Sequence, residues 1–197
     1  LMKFMIFAAG LGTGLRPLTL KTPKPLIPIH QNVSCLERLL TQLSTAGFTE
    51  GWINVSYQSQ QIIDFVQQGQ PWAMHLHICQ EPENTPLGTA AGLRQALPHL
   101  GPNPFLTLSA DLWTDYPFAT LKHLTPETGH CILVPNPPHH PCGDFDLHNQ
   151  YLHPRTHASL TYANIAVLHP KLLIQQPQEK NLGPILKAAC NQRALTG

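Results

Sequence analysis

Apolar and polar positions change their period several times along this chain. Lys3 to Ala9 is apolar at nearly every position, the pattern of a strand buried on both faces of a parallel sheet. A glycine-rich loop follows. Ser34, with Glu37 three residues on, predicts a capped helix over Cys35 to Ala46 that Gly47 stops, because the serine hydroxyl and a left-handed glycine satisfy the two helix ends. Trp52 to Ser56 predicts a second strand, followed by a helix around Gln60 to Gln67 that ends at Gly69. His75 to Gln80 predicts a third strand and Thr89 to Leu97 a helix. Phe105 to Ala110 predicts a fourth, buried strand that runs straight into Asp111. Beyond Gly129 the pattern changes. Strands are predicted at Cys131 to Val134, Asp144 to Leu147 and Thr161 to Leu168, with Pro135, Pro137, Pro138 and Pro141 at the joints. Leu172 to Ala189 holds the last helical material. Strands alternating with helices predict the α/β class, as a doubly wound, mostly parallel, Rossmann-like sheet. There is no repeat, and 197 residues suit one core, so a single domain over 1–197 is expected.

Composition narrows the partners. Lys and Arg number 12 and Asp and Glu 11, a formal net charge of +1, so the electrostatic argument for nucleic acid or an anionic membrane surface is lacking. No apolar run nears the ~20 residues that span a bilayer. The apolar start is too short for a signal peptide and enters the glycine loop. Five cysteines (Cys35, Cys79, Cys131, Cys142, Cys190), without a C-x-x-C pair, suit free thiols in a reducing compartment. The expectation is a cytoplasmic monomer with neither nucleic acid nor membrane as partner. The histidines cluster only at His75/His77 and His139-His140, without the ligand spacing of a structural metal site.

The most informative segment is Ala8-Ala9-Gly10-Leu11-Gly12-Thr13-Gly14-Leu15-Arg16-Pro17-Leu18-Thr19, closing with Thr22-Pro23-Lys24-Pro25-Leu26. A glycine turn at the carboxyl end of a first strand is where open α/β sheets bind nucleotides. Without Cβ atoms the backbone can approach a phosphate, and successive N–H groups cradle an anion. The plainer reading is a tight connection that happens to be glycine-rich. Two common motifs fail: Leu15 stands where a dinucleotide fingerprint needs its third glycine, and no G-K-[ST] ends the loop. Arg16, Lys21 and Lys24 crowd this loop, whereas no Lys or Arg lies between Arg38 and Arg94. Cations concentrated beside a glycine turn favour a polyphosphate ligand.

With these residues the chain resembles the sugar nucleotidyltransferases (nucleotide-sugar pyrophosphorylases), whose signature is close to A-A-G-x-G-T-R-L-x-P-L-T followed by T-P-K-P-L. The resemblance continues through Gln80-Glu81, Pro86-Leu87-Gly88-Thr89-Ala90-Ala91-Gly92 and Leu108-Ser109-Ala110-Asp111. The run from Asn136 to Phe145 is nearest the N-acetylmuramate 1-phosphate uridylyltransferases. The resemblance implies a nucleotidyltransferase fold with a nucleotide-binding half at 1–116 and a sugar-phosphate-binding half at 117–197. It implies two partners, a nucleoside triphosphate and a sugar 1-phosphate, with Mg²⁺ as cofactor. The implied reaction moves a nucleoside monophosphate, UMP from UTP, onto the sugar 1-phosphate, N-acetylmuramate 1-phosphate in the nearest branch, with a place in peptidoglycan recycling. Such chemistry needs alignment and charge neutralisation more than an acid–base pair.

By the same resemblance Ala9 and Gly10 lie near base and ribose, and Gly12 and Thr13 offer N–H groups to the phosphates. Lys24 places a charge at the α-phosphate, with Arg16 as a second cation. Gln80 and Gly88 read the base, and an amide's donor and acceptor suit uracil or thymine; the plainer reading of Gln80 is an exposed strand end. Asp111 is the implied Mg²⁺ ligand, the alternative being a capping aspartate, and Asp115 reads as a cap. Asn136, Asp144 and Asn164 are the sugar-binding candidates, while His139 and His140 read as sugar-side or surface residues. Two positions depart from the family pattern. Position 14 is glycine where the signature has arginine, and no Asp follows Asp146, where relatives return a second metal-binding aspartate, so the chain reads as one segment short. These departures define a second expectation, a nucleotide- or sugar-binding relative with impaired catalysis.

Overall fold

The computed structural model describes residues 1–68 and 71–197, so Gly69, the expected stop of the second helix, lies outside the described residues. Strand β1 (Phe4–Phe7) is apolar on both sides for a reason: Phe4 and Ile6 enter one core and Met5 another, all three fully buried. The glycine loop and a two-stranded ribbon of β2 (Pro28–His30) and β3 (Val33–Ser34) follow. Helix α1 (Cys35–Thr45) starts as expected, with Ser34 Oγ accepting from the Glu37 N–H at 3.2 Å, and it ends ahead of Gly47 at φ 89°. Then come β4 (Glu50–Val55), α2 (Ser59–Gln67), β5 (His75–Gln80), α3 (Thr89–Leu100) and β6 (Phe105–Ser109). Strands β5, β4, β1 and β6 lie side by side in that order, all parallel. Helices α1 and α2 cover the face that carries Phe4 and Ile6, and α3 covers the face that carries Met5. This is the doubly wound arrangement.

Beyond β6 the sheet continues in another style. Strands β7 (Gly129–Pro135), β8 (Phe145–His148), β9 (Tyr151–Pro154), β10 (Leu160–Leu168) and β11 (Leu195–Thr196) extend it in the order β10, β7, β11, β9, β8. Strand β10 joins the two regions by pairing antiparallel with β6, Ile165 opposite Leu108. The nine-stranded sheet is therefore mixed, parallel around the first strand and largely antiparallel beyond it. Helix α4 (Leu182–Cys190) shares the core of α3 through Leu182, Ile185, Leu186 and Ala189.

Three local expectations need correction. Helix α3 runs through Pro98 to Leu100; proline in the last turn breaks few bonds, and Gly101 at φ 82° ends the helix. The last helical stretch is two pieces, a 3₁₀ turn at Pro170–Leu173 and α4, with Pro177 in the connection. The short strands β9 and β11 carry too few alternating positions to signal themselves, yet Leu152 and Leu195 are fully buried.

One buried polar chain ties the carboxyl ends of β1, β4 and β5. The Ala8 N–H donates to Asn54 Oδ1 at 2.8 Å, and Asn54 Nδ2 donates to Glu81 Oε1 at 2.9 Å. Glu81 Oε2 accepts from the Leu87 N–H at 2.8 Å, which folds the chain back toward α3. Asn54 and Glu81 are almost wholly buried, and Gly92 is where a Cβ would strike both side chains, 2.5 Å from Glu81 Oε1. A buried carboxylate is tolerated only when its oxygens are occupied in this way. Glu81→Ala is expected to destabilise the protein by about 2–4 kcal/mol, since it strands the buried Asn54 amide and the half-buried Leu87 N–H. Urea unfolding measures this, and a loss under about 0.5 kcal/mol contradicts the account.

Candidate active site

The glycine loop forms a shallow cradle at the carboxyl end of β1. Gly12 adopts φ 65°, and a Cβ there would lie 2.8 Å from Thr19 Cγ2, so both the backbone angle and the neighbour require glycine. Thr19 is fully buried and its hydroxyl donates to Gly12 O at 2.7 Å. Its own carbonyl accepts from Tyr57 Oη at 2.6 Å and from Gln58 Nε2 at 3.2 Å, which fastens the loop to the start of α2. Within the turn, Leu15 N–H donates to Gly12 O and Arg16 N–H to Thr13 O. The N–H groups of Gly12 and Thr13 have no acceptor among the described residues.

Lys24 opens a short 3₁₀ turn, Lys24–Leu26, between the buried Pro23 and Pro25. Prolines fix φ on both sides of the lysine and aim it across the cradle. Lys24 Nζ meets Asp111 Oδ2 at 2.5 Å, a contact across 87 residues of sequence. Ser109 Oγ donates to the other oxygen, Asp111 Oδ1, at 2.6 Å. Burial alone pushes the Asp111 carboxyl up, but the Lys24 and Ser109 hydrogen bonds and the lysine charge outweigh it and hold it below the ordinary carboxylate range. Helix α1 steadies the turn after Asp111: Gln42 Nε2 donates to Thr114 O at 2.7 Å, and the Arg38 guanidinium lies 4.7 Å from the Trp113 ring centre. A cavity of about 290 Å³ results, bordered by Gly10, Gly12, Thr13, Gly14, Lys24 and Asp111.

A second cavity, of about 710 Å³, opens between β10 and α4 and contains Asp144 and Asn164 with His139 and His140. Asn164 sits in a bulge of β10 at φ 58°, a left-handed conformation asparagine adopts more readily than most residues. It directly precedes Ile165, which pairs with Leu108, and Ser109 follows, so the two cavities adjoin at the β6–β10 seam. Asp144 accepts from the Tyr162 N–H at 2.9 Å and stands 3.1 Å from His140 Nε2.

The structure gathers the sequence candidates unevenly. Gly10, Gly12, Thr13, Lys24 and Asp111 share the first cavity, and Asp144 and Asn164 share the second. Ala9 is buried beneath the loop. Arg16 is exposed and does not border the first cavity. Gln80 ends β5 on the same carboxyl edge, its Nε2 donating to Ser59 Oγ at 3.4 Å. Gly88 precedes α3 at φ 103°, where a Cβ would lie 2.5 Å from Lys180 O. Asn136 lies outside the second cavity: its amide donates to Pro141 O and Ala158 O and accepts from Thr161 Oγ1, so it shapes the loop that carries His139 and His140. Asp115 has no bond from its side chain among the described residues; Thr114 Oγ1 caps that turn instead, accepting from the Tyr116 N–H. Sequence reading passed over Ser109 and Asn54. Ser109 stands two residues before Asp111, on the same side of an extended strand. Asn54 was legible only as an amide in an apolar run.

A glycine cradle at the carboxyl edge of a doubly wound sheet, closed by a lysine–aspartate pair, stands where open α/β proteins bind nucleotides. Residues 3–142 match the family described as Nucleotidyl transferase. Over 206 aligned residues the chain is 35% identical to an N-acetylmuramate alpha-1-phosphate uridylyltransferase from Neisseria meningitidis serogroup B, covering all of this chain and 88% of that protein. It is 35% identical over 122 residues to a mannose-1-phosphate guanyltransferase from Schizosaccharomyces pombe, covering 61% of this chain and 33% of that longer protein. The fold is shared, at 16% identity and a TM-score of 0.82, with a Bacillus anthracis protein assigned as a glucose-1-phosphate thymidylyltransferase, over all of this chain and 85% of that one. The chain belongs to the nucleotidyl transferase family, among its sugar nucleotidyltransferases.

The Asp111 shift gives a pH prediction. Its folded-state pKa lies below its unfolded value, so the stabilisation is complete above the unfolded value of about 4 and is lost as pH falls through the folded one. Asp111→Asn is expected to lose stability less steeply than the parent below about pH 4. Identical acid limbs in thermal unfolding contradict the pairing.

Proposed function

We propose that this chain transfers UMP from UTP to N-acetylmuramate 1-phosphate, releasing pyrophosphate. The observation that carries the reading is the Lys24–Asp111 pair across the mouth of the glycine cradle. The similarity to the Neisseria meningitidis uridylyltransferase, over all of this chain and 88% of that protein, supports the choice of nucleotide and sugar. In this reading residues 1–116 take the nucleotide and 117–197 the sugar phosphate. The Gly12 and Thr13 N–H groups hold the leaving phosphates, and Gly10 and Ala9 shape the ribose end. Gln80 and Gly88 read uracil, whose edge offers both a donor and acceptors. Asp144 and Asn164 bind the sugar, with Asn136 acting through its loop.

An oxygen of the sugar 1-phosphate attacks the α-phosphorus of UTP; that P–O bond forms as the bond to the β-phosphate oxygen breaks. Little proton movement is needed, so rate comes from alignment and charge neutralisation. When the triphosphate arrives, Lys24 exchanges the Asp111 carboxylate for an α-phosphate oxygen. Asp111 is then free for a cation. Among the described residues no group of three or more His, Cys, Asp or Glu side chains is placed to hold a metal unaided. One carboxylate beside a phosphate cradle nonetheless fits Mg²⁺, which takes one or two carboxylates together with phosphate oxygens and water. Mg²⁺ bound there supplies charge neutralisation on the triphosphate.

A second reading, binding with impaired turnover, is favoured by one observation. Position 14 carries no side chain, and Arg16 does not border the cavity. A Cβ at Gly14 meets nothing within 4 Å, so the backbone there accepts a side chain. Pyrophosphate release distinguishes the two. The parent chain is expected to release it from UTP only when a sugar 1-phosphate is present, N-acetylmuramate 1-phosphate with the lowest KM, and Lys24→Ala to lower kcat about 10²–10³-fold. Release from Gly14→Arg but not from the parent chain establishes the second reading. No release by either with any nucleoside triphosphate refutes the transfer reading, and the second reading then stands only if calorimetry shows a nucleoside triphosphate or the sugar phosphate binding without turnover.

A further inference from the structure

The second cavity is bordered by one lysine that no carboxylate reaches among the described residues. Its one carboxylate, Asp144, is already occupied on both oxygens, one by the Tyr162 N–H and one by His140. Lys187, on α4, also borders the cavity, is exposed, and has no ion-pair partner among the described residues. A pocket built for a neutral sugar presents acceptors and amides to hydroxyl groups. This one adds an ammonium that makes no ion pair among the described residues, while both oxygens of its carboxylate are already hydrogen-bonded. The 1-phosphate of a sugar bound here belongs at the seam with the first cavity, which Asn164 marks and Lys187 does not border, because its oxygen attacks the α-phosphorus held there. Lys187 is thus left for a different anion on the sugar.

We propose that Lys187 is a specificity-determining residue that reads a carboxylate substituent on the sugar ring. The assignment rests on the nucleotidyl-transfer reading above and deepens it, because it states why an acidic sugar is accepted over its neutral counterpart. An ammonium–carboxylate hydrogen bond is short and strong, and its removal from one partner weakens binding of that substrate alone. Lys187 does not touch the reacting phosphorus, so its effect belongs in KM rather than in kcat.

The test compares N-acetylmuramate 1-phosphate, which carries a lactyl carboxylate, with N-acetylglucosamine 1-phosphate, which lacks it, on the parent chain, Lys187→Ala and Lys187→Arg. The expected result is a KM for the acidic sugar raised about ten-fold or more in Lys187→Ala. Its kcat, its KM for UTP and its KM for the neutral sugar stay near the parent values, and Lys187→Arg largely restores the acidic substrate. An equal loss on both sugars overturns the proposal in favour of a grip on the shared 1-phosphate, and no loss on either overturns it outright. Calorimetric binding of the two sugar phosphates keeps the two claims apart. Loss of acid-dependent binding in Lys187→Ala without turnover by the parent chain supports Lys187 and refutes the transfer reading. Turnover of the neutral sugar alone refutes both the Lys187 assignment and the choice of N-acetylmuramate 1-phosphate while leaving nucleotidyl transfer itself standing, and failure to bind either sugar phosphate refutes the assignment and the transfer reading together.

Discussion

Lys24 and Asp111 come from distant parts of the chain, and their contact closes a ring that begins at the glycine turn. The ring has four supports. Thr19 holds Gly12 from below, Tyr57 and Gln58 hold Thr19 from the start of α2, prolines aim Lys24, and α1 steadies the turn after Asp111. Each support is a hydrogen bond or a restricted dihedral rather than a large apolar contact. Position is therefore set by geometry that no single residue type announces. The pair itself is more than a third exposed on each side, so it adds little to stability. Its consequence is positional: a cation and an anion are kept at the mouth of a cradle whose Gly12 and Thr13 N–H groups have no acceptor among the described residues, which is where the proposed function places a triphosphate and its counter-ion.

The Asn54–Glu81 bridge plays the complementary part beneath the surface. It connects the root of the glycine loop to the turn before α3, and Gly92 exists where it does to make room. Lys180 O, in turn, accepts from the Ala90 and Ala91 N–H groups, so a segment from the second half of the chain caps the helix that follows Gly88. Arg94 strengthens the link by donating to Glu179 O at 2.6 Å. The two halves are thus joined by backbone capping as well as by the continuous sheet.

Much of this was legible before any coordinates. Buried strands and capped helices of the first 111 residues follow from period, Ser34, Gly47 and the run into Asp111, since strongly apolar strands and helix caps are local signals. The antiparallel extension was harder to read because β9 and β11 are short and take their stability from neighbours. The candidate site divided in the same way. Gly12, Lys24 and Asp111 stood out as a motif and a strand end. Asn136 read as a sugar ligand because an exposed-looking amide does not reveal that its donors face its own loop. Ser109, Asn54 and Lys187 acquire meaning only once β6, β4 and α4 are placed beside the cavities.

The central claim is that Lys24 leaves Asp111 for the α-phosphate when a nucleotide binds. The most direct test is a crystal structure of the chain with Mg²⁺ and a non-hydrolysable UTP analogue. The account predicts Lys24 Nζ within hydrogen-bonding distance of an α-phosphate oxygen, the Asp111 carboxylate released from the lysine, and the β- and γ-phosphates on the Gly12 and Thr13 N–H groups. A bound analogue whose triphosphate lies away from the glycine turn, with the Lys24–Asp111 pair intact, contradicts it.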